Sequence, residues 1–217
     1  MTRIRIHSPM GTVIVAVFLS YIVGSIPFGF LIAKYVKGVD IRTVGSKNIG
    51  ATNVMRTLGK GPGITTLVLD MLKGFVVVTL LPFLFYSDSL GMSYTLFQLL
   101  CVIGVICGHT WTLFLGFKGG KGVATSTGAL FGIAPLVVLF SSIVWIVCAK
   151  ISRYVSLSSM VAAVAFVVGT FVFGEPVELK IFSVFIALII IIRHRSNIQR
   201  LRVGTENKIG QKGGVEK

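Results

Sequence analysis

Acid is what this chain has least of. Seven Asp and Glu face 21 Lys and Arg in 217 residues, for a formal net charge of +14. Charged residues of both signs make up only 13%, against about 25% in a soluble globular domain. That shortage excludes an ordinary soluble fold. Cysteine is also scarce. Cys101, Cys107 and Cys148 all lie inside apolar runs, and no pair has a metal or redox spacing, so packing is their expected role and no metal site is expected. There is no internal repeat, no low-complexity segment and no separate soluble domain. The reading is therefore a single domain over residues 1–217.

What the chain does have is apolar length. It is 54% hydrophobic with a mean hydropathy of +0.90. Residues 11–33 contain no charge, and the apolar run from Gly61 to Phe85 is interrupted only by Asp70 and Lys73. Further runs cover 95–117, 123–149, 155–174 and 181–192. About 20 apolar residues in helix cross the roughly 30 Å hydrocarbon core. Backbone groups in lipid must pair within the segment, so these runs are expected to be helices. Arg3 and Arg5 precede the first run as in a signal peptide. That run is too long for a signal core and ends on no small-residue cleavage site, so it is read as a retained span.

The basic residues are not spread evenly. Six lie in 34–60, two at Lys118 and Lys121, two at Lys150 and Arg153, and seven after Ile192. The connections at 87–93 and 174–178 carry Asp88, Glu175 and Glu178 and no base. Such clustering argues against nucleic acid as a partner and for loops retained on the cytoplasmic side. Crossing parity then gives an all-α polytopic membrane protein of seven helices. Its N-terminus, with Arg3 and Arg5, is outside and its C-terminus, with Glu216, is cytoplasmic. Both ends of the 122–150 region are inside, and Gly132 and Pro135 interrupt it, so two short helices are expected there.

Scattered Lys and Arg often do no more than hold orientation. Here four basic segments carry more than that. In Gly45-Ser46-Lys47-Asn48-Ile49-Gly50-Ala51-Thr52-Asn53-Val54-Met55-Arg56, Ser46 or Asn48 can cap a helix. Ile49, Thr52, Asn53 and Arg56 would then share a face. A helix start with a guanidinium nearby suits an anion. Phe117-Lys118-Gly119-Gly120-Lys121-Gly122-Val123-Ala124-Thr125 lets the backbone approach a ligand closely while lysine adds charge. It is not a Walker A loop, since Gly122 stands where Ser or Thr belongs. Ser156, Ser158 and Ser159 could cap a span or contact a ligand. His194 and Asn197 share a helical face and suit a hydroxyl or an oxyanion. Asp70 and Lys73, three apart within a span, are a functional pair or a self-neutralised bridge.

These segments together resemble the PlsY-type acyl-phosphate–glycerol-3-phosphate acyltransferases. The resemblance rests on Gly24-Ser25-Ile26-Pro27-Phe28-Gly29, the Gly45 to Arg56 segment, Leu69-Asp70-Met71-Leu72-Lys73-Gly74, Gly108-His109 with the Phe117 to Thr125 segment, Ser156 to Ser159, and His194 to Glu206. It covers nearly the whole chain. One departure is Thr112, where the family often has proline. The resemblance implies transfer of a fatty acyl group from acyl phosphate to the 1-hydroxyl of glycerol 3-phosphate, giving lysophosphatidic acid and inorganic phosphate. It implies Ser46, Lys121, His194 and Asn197 as catalytic, and Asn48, Thr52, Asn53, Arg56, Gly119, Gly120, Gly122 and Ser159 as substrate-binding. Glu206, with Asp70 and Lys73, is expected to be structural. No cofactor is expected. The expected partners are the two substrates, membrane lipids and the enzyme that supplies acyl phosphate. The expected location is the bacterial cytoplasmic membrane, with the active site at its inner face. A transporter of an anionic phosphorylated solute is the alternative, and a lipid-binding scaffold is a third reading.

Overall fold

The computed structural model describes residues 8–211. Arg3, Arg5 and Glu216, whose sides of the membrane were inferred above, lie outside the described residues. Among those described there are ten α-helices: α1 (Pro9–Gly24), α2 (Phe28–Lys37), α3 (Ala51–Leu58), α4 (Lys60–Phe85), α5 (Tyr94–Thr110), α6 (Val123–Phe131), α7 (Pro135–Ser152), α8 (Val155–Val172), α9 (Val177–Arg193) and α10 (Arg195–Arg202). Five segments are long and apolar enough to cross a membrane: Pro9–Lys37, Lys60–Phe85, Tyr94–Leu115, Pro135–Ser152 and Val155–Val172. Large apolar side chains such as Ile14, Phe18, Phe83, Ile143 and Phe185 point outward from them and from α9, as in helices whose surroundings are hydrocarbon. The protein is an all-helical, multi-pass integral membrane protein.

The chain divides into two compact units, residues 8–133 with α1 to α6 and residues 134–211 with α7 to α10. In the first unit α5 packs on α1 and α6 packs on α4. Glycine makes both contacts close. A Cβ on Gly24 or Gly108 would collide with the backbone of α5 or α1 respectively, and one on Gly74 or Gly128 with the backbone of α6 or α4. Between helices in lipid, such close backbone approach takes the place of the hydrophobic drive available in water. In the second unit α8 packs against α7 and α9.

Two expectations need correction. The first apolar run is not one helix. It breaks at Ser25–Pro27 because proline lacks an N–H and disfavours helix in the residue before it. The freed carbonyls find partners inside the unit: Ser25 O accepts from the buried Thr112 hydroxyl, and Ile26 O accepts from Lys73 Nζ at 2.9 Å. Thr112 therefore ties the turn after α5 to the break in the first segment. In the 122–150 region there are two helices, but only α6 is short, at nine residues. The second, α7, has 18 residues. Pro135 occupies the first turn of α7, where its missing N–H would be unpaired in any case, so it starts a full helix and does not shorten one.

Candidate active site

In the first unit, the segment before α3 is organised by one buried side chain. Asn53 is 1% exposed. Its Oδ1 accepts from Ser46 N at 2.8 Å, and its Nδ2 faces the carbonyls of Ile41, Val44 and Asn48 at 3.1, 3.0 and 2.9 Å. Gly45 has φ of +59°, and a Cβ there would strike Asn53 Oδ1. Beneath the segment, Ile41, Ile49 and Val54 join Ala33 in a buried cluster. The helix cap differs from the expectation. The N-cap of α3 is Gly50, not Ser46 or Asn48. Asn48 Oδ1 instead accepts from Gly50 N at 2.8 Å, a turn two residues long. Ile49 precedes the helix and Asn53 points inward, so of the expected face of Ile49, Thr52, Asn53 and Arg56 only Thr52 and Arg56, four apart in α3, remain. Ser46, Lys47 and Thr52 are exposed, and Asn48 and Arg56 are half-buried. Asp40 lies at the foot of the loop, paired with Arg42 at 2.7 Å. The Arg42 hydrogen bond holds its carboxyl below the ordinary value.

The Gly-rich segment is fastened to the end of α5. Gly119 N donates to Thr110 O and Gly120 N to His109 O, both at 3.0 Å. A Cβ on Gly119 would strike the His109 carbonyl, and one on Gly120 would strike His109 Nε2. Gly122, at φ of +81°, is the N-cap of α6, and Lys121 is half-buried beside it. Directly behind lie Asp70 and Lys73, 1% and 5% exposed. They are ion-paired at 2.7 Å as the i, i+3 spacing suggested, and His109 joins them. In the sequence His109 stands out only within Gly108-His109, as a polar residue inside an apolar run like Asp70 and Lys73.

In the second unit, Glu206 collects the polar groups. Its Oε1 accepts from Ser156 Oγ at 2.7 Å and Asn197 Nδ2 at 2.6 Å, and its Oε2 accepts from Arg200 Nε at 2.7 Å. Burial alone would raise its pKa, but the hydrogen bonds from Ser156, Asn197 and Arg200 bring it below the ordinary glutamate value. The tail continues over the α7–α8 turn, where Ile209 N donates to Arg153 O at 2.7 Å and Arg153 Nη2 donates to Ile209 O at 3.1 Å. The three serines have separate duties. Ser156 serves Glu206, Ser158 donates to Tyr154 O, and Ser159 donates to Val155 O while accepting from Trp145 Nε1. His194 and Asn197 are both buried, one joining α9 to α10 and the other in α10. His194 Nδ1 lies 2.7 Å from Ile190 O. A carbonyl can only accept, so Nδ1 carries the proton and Nε2 of a neutral His194 is an acceptor. In that state the ring can receive a hydrogen bond from a hydroxyl and cannot donate one from Nε2 to an oxyanion.

Helices and exposed apolar faces of this kind define a multi-pass integral membrane protein with organised polar segments near the ends of its helices. A family model described as glycerol-3-phosphate acyltransferase matches residues 14–204. A glycerol-3-phosphate acyltransferase of Desulforamulus reducens is 45% identical over 93% of this chain and 97% of its own length. Crystal structures of PlsY, an integral membrane glycerol 3-phosphate acyltransferase, superpose with TM-scores of 0.83 for the glycerol 3-phosphate form and 0.81 for the lysophosphatidic acid form. Each is 42% identical and covers 92% of this chain and 96% of the other. The chain belongs to the PlsY-type glycerol-3-phosphate acyltransferase family, and it is an enzyme of that activity.

Proposed function

We propose that the chain takes its acyl group from acyl phosphate and places it on the 1-hydroxyl of glycerol 3-phosphate. The hydroxyl oxygen attacks the acyl carbonyl carbon, the carbonyl–phosphate oxygen bond breaks, and lysophosphatidic acid and inorganic phosphate leave. The observation that carries this reading is the match to PlsY, captured in forms with the acceptor and with the acylated product. Arg56 and Lys121 bind substrate phosphates, assisted by the backbone of Gly119, Gly120 and Gly122 and by Ser46, Asn48 and Thr52. Asn53 contributes by holding the loop that carries Ser46 and Asn48. Ser159 is the weaker of the proposed ligands, since Val155 and Trp145 already engage its hydroxyl. The inferred polarity of His194 supports a role in orienting the glycerol hydroxyl, with Asn197 fixed beside it by Glu206. Acyl phosphate is already activated, so positioning and charge stabilisation supply most of the acceleration. The hydroxyl proton passes to substrate phosphate. A proton taken by His194 is the rival, and it would give kcat/KM an acid limb that is absent in His194→Gln.

The chain works as one acyltransferase domain in the bacterial cytoplasmic membrane, as the family match across both units supports. Its N-terminus is outside, its C-terminus is inside, and seven helical segments lie in the bilayer. The basic residues concentrated in four connections support a cytoplasmic active face. Nine residues of α6 reach about 14 Å, roughly half the hydrocarbon depth, so α6 is too short to cross the bilayer alone. Purified protein should release phosphate from acyl phosphate only when glycerol 3-phosphate is present. Arg56→Lys should lose most of that activity, because one ammonium cannot make a bidentate phosphate contact. Robust transfer from acyl-CoA would refute the donor assignment.

A further inference from the structure

Asp70, Lys73 and His109 form a cluster against the Gly-rich loop and make none of the proposed substrate contacts. We infer that His109 is a positioning residue for the loop from Gly119 to Gly122, and that the Asp70–Lys73 ion pair sets its tautomer. The inference rests on the proposed role of that loop in binding phosphate.

All three side chains are at most 5% exposed. Lys73 Nζ lies 2.7 Å from Asp70 Oδ1, 2.9 Å from Ile26 O and 3.0 Å from His109 Nδ1. An ammonium has three protons and no lone pair, so Ile26 O and His109 Nδ1 must accept from it, while Asp70 meets it as an ion pair. His109 Nδ1 is therefore bare, and the proton of the neutral ring sits on Nε2. The distance from His109 Nδ1 to Asp70 Oδ1, 3.6 Å, is too long for a competing hydrogen bond. A second proton on the ring would place an N–H against the ammonium. The protonated Nε2 is the side of the ring that lies against Gly120, which is why no Cβ fits there. Main-chain bonds from Gly119 and Gly120 fasten the same two residues to α5. The ion pair thus orients a ring, and the ring backs the loop on which Lys121 stands.

His194 has the opposite tautomer, protonated at Nδ1 against Ile190 O, and serves as an internal reference. The wild-type protein with 15N-labelled histidine should show one buried ring protonated at Nε2, absent from the His109→Gln spectrum. Lys73→Met should move that proton to Nδ1, where Asp70 becomes the available partner. In acyl-phosphate assays, His109→Phe and Lys73→Met should each raise KM for glycerol 3-phosphate about tenfold with kcat little changed. His109→Gln, whose amide nitrogen reaches the Nε2 position, should recover most of that loss. A purely structural role would lower thermal stability in all three variants and leave KM of the folded fraction unchanged. That result, or an Nδ1-protonated His109 in the wild type, overturns the inference. If Lys73→Met does not fold, the wild-type tautomer decides alone. Absence of glycerol-3-phosphate-dependent phosphate release in the wild type would instead overturn the functional reading, whatever tautomer the spectrum shows.

Discussion

The loop of residues 41–50 and the tail of residues 203–211 are each organised around one side chain, and the two side chains differ in kind. Asn53 is a neutral amide that faces three main-chain carbonyls and accepts from one main-chain N–H. Glu206 is an anion that accepts from a hydroxyl, an amide and a guanidinium. The first tie depends on the direction of hydrogen bonds and does not titrate. The second depends on charge and does. An amide suits a place crowded with carbonyl dipoles, where a carboxylate would be repelled on three sides. A carboxylate suits a basic segment, where it neutralises Arg200 while aligning Asn197.

Asn53→Asp should have the largest effect. A carboxylate can still accept from Ser46 N, but the three carbonyls lose their donor, and unpaired buried polar groups are costly. kcat/KM should fall about a hundredfold or more as the loop loses its shape, with faster proteolysis within residues 41–50. Glu206→Gln should be milder. The amide keeps one acceptor for Asn197 or Ser156 and loses the Arg200 pair, so a drop in kcat of about tenfold is expected, read with glycerol 3-phosphate saturating. Acid separates the two ties without mutation. Because the Glu206 carboxyl titrates below its ordinary value of 4.5 in the folded chain, its stabilisation is complete above that value and is lost as pH falls through the folded one. The protection of the Ile209 amide, measured against the intrinsic exchange rate at each pH, should fall on acidification, and that of the Asn53-bound amide of Ser46 should not follow it. The smallest effect is expected for Ser156→Ala, which removes one of the three hydrogen bonds to Glu206. A loss of a few-fold in kcat/KM, about 1 kcal/mol, matches one such bond.

Hydropathy made the helices legible, because lipid allows little else for long apolar runs. The break at Pro27 was hidden inside one of those runs, since an apolar stretch reads alike whether straight or interrupted. Pro135 marked the boundary between two helices as expected, but it begins a full-length α7, so only α6 is short. The polar segments were legible as segments, but the direction of their side chains was not. Asn53 looked like a ligand because its residue type and spacing fit one, while the carbonyls it faces lie up to 12 positions away. Asp70 and Lys73 were visible as a pair within one helix. His109, 36 residues beyond Lys73, required the packing of α5 to bring it in. The three serines, indistinguishable in sequence, separate once their acceptors are known.

The contact between α4 and α6 has a consequence for how this sequence can drift. Gly74 meets the backbone of α6 at Thr125, and Gly128 meets the backbone of α4 at Met71. Each helix supplies the missing side chain that lets the other approach, and each needs its neighbour's main chain where it is. A larger residue at either position therefore cannot be offset by trimming a side chain opposite, because what stands opposite is peptide. Variation here must move a whole helix, together with the Gly-rich segment that leads into α6. The two glycines form a lock with no single-letter key.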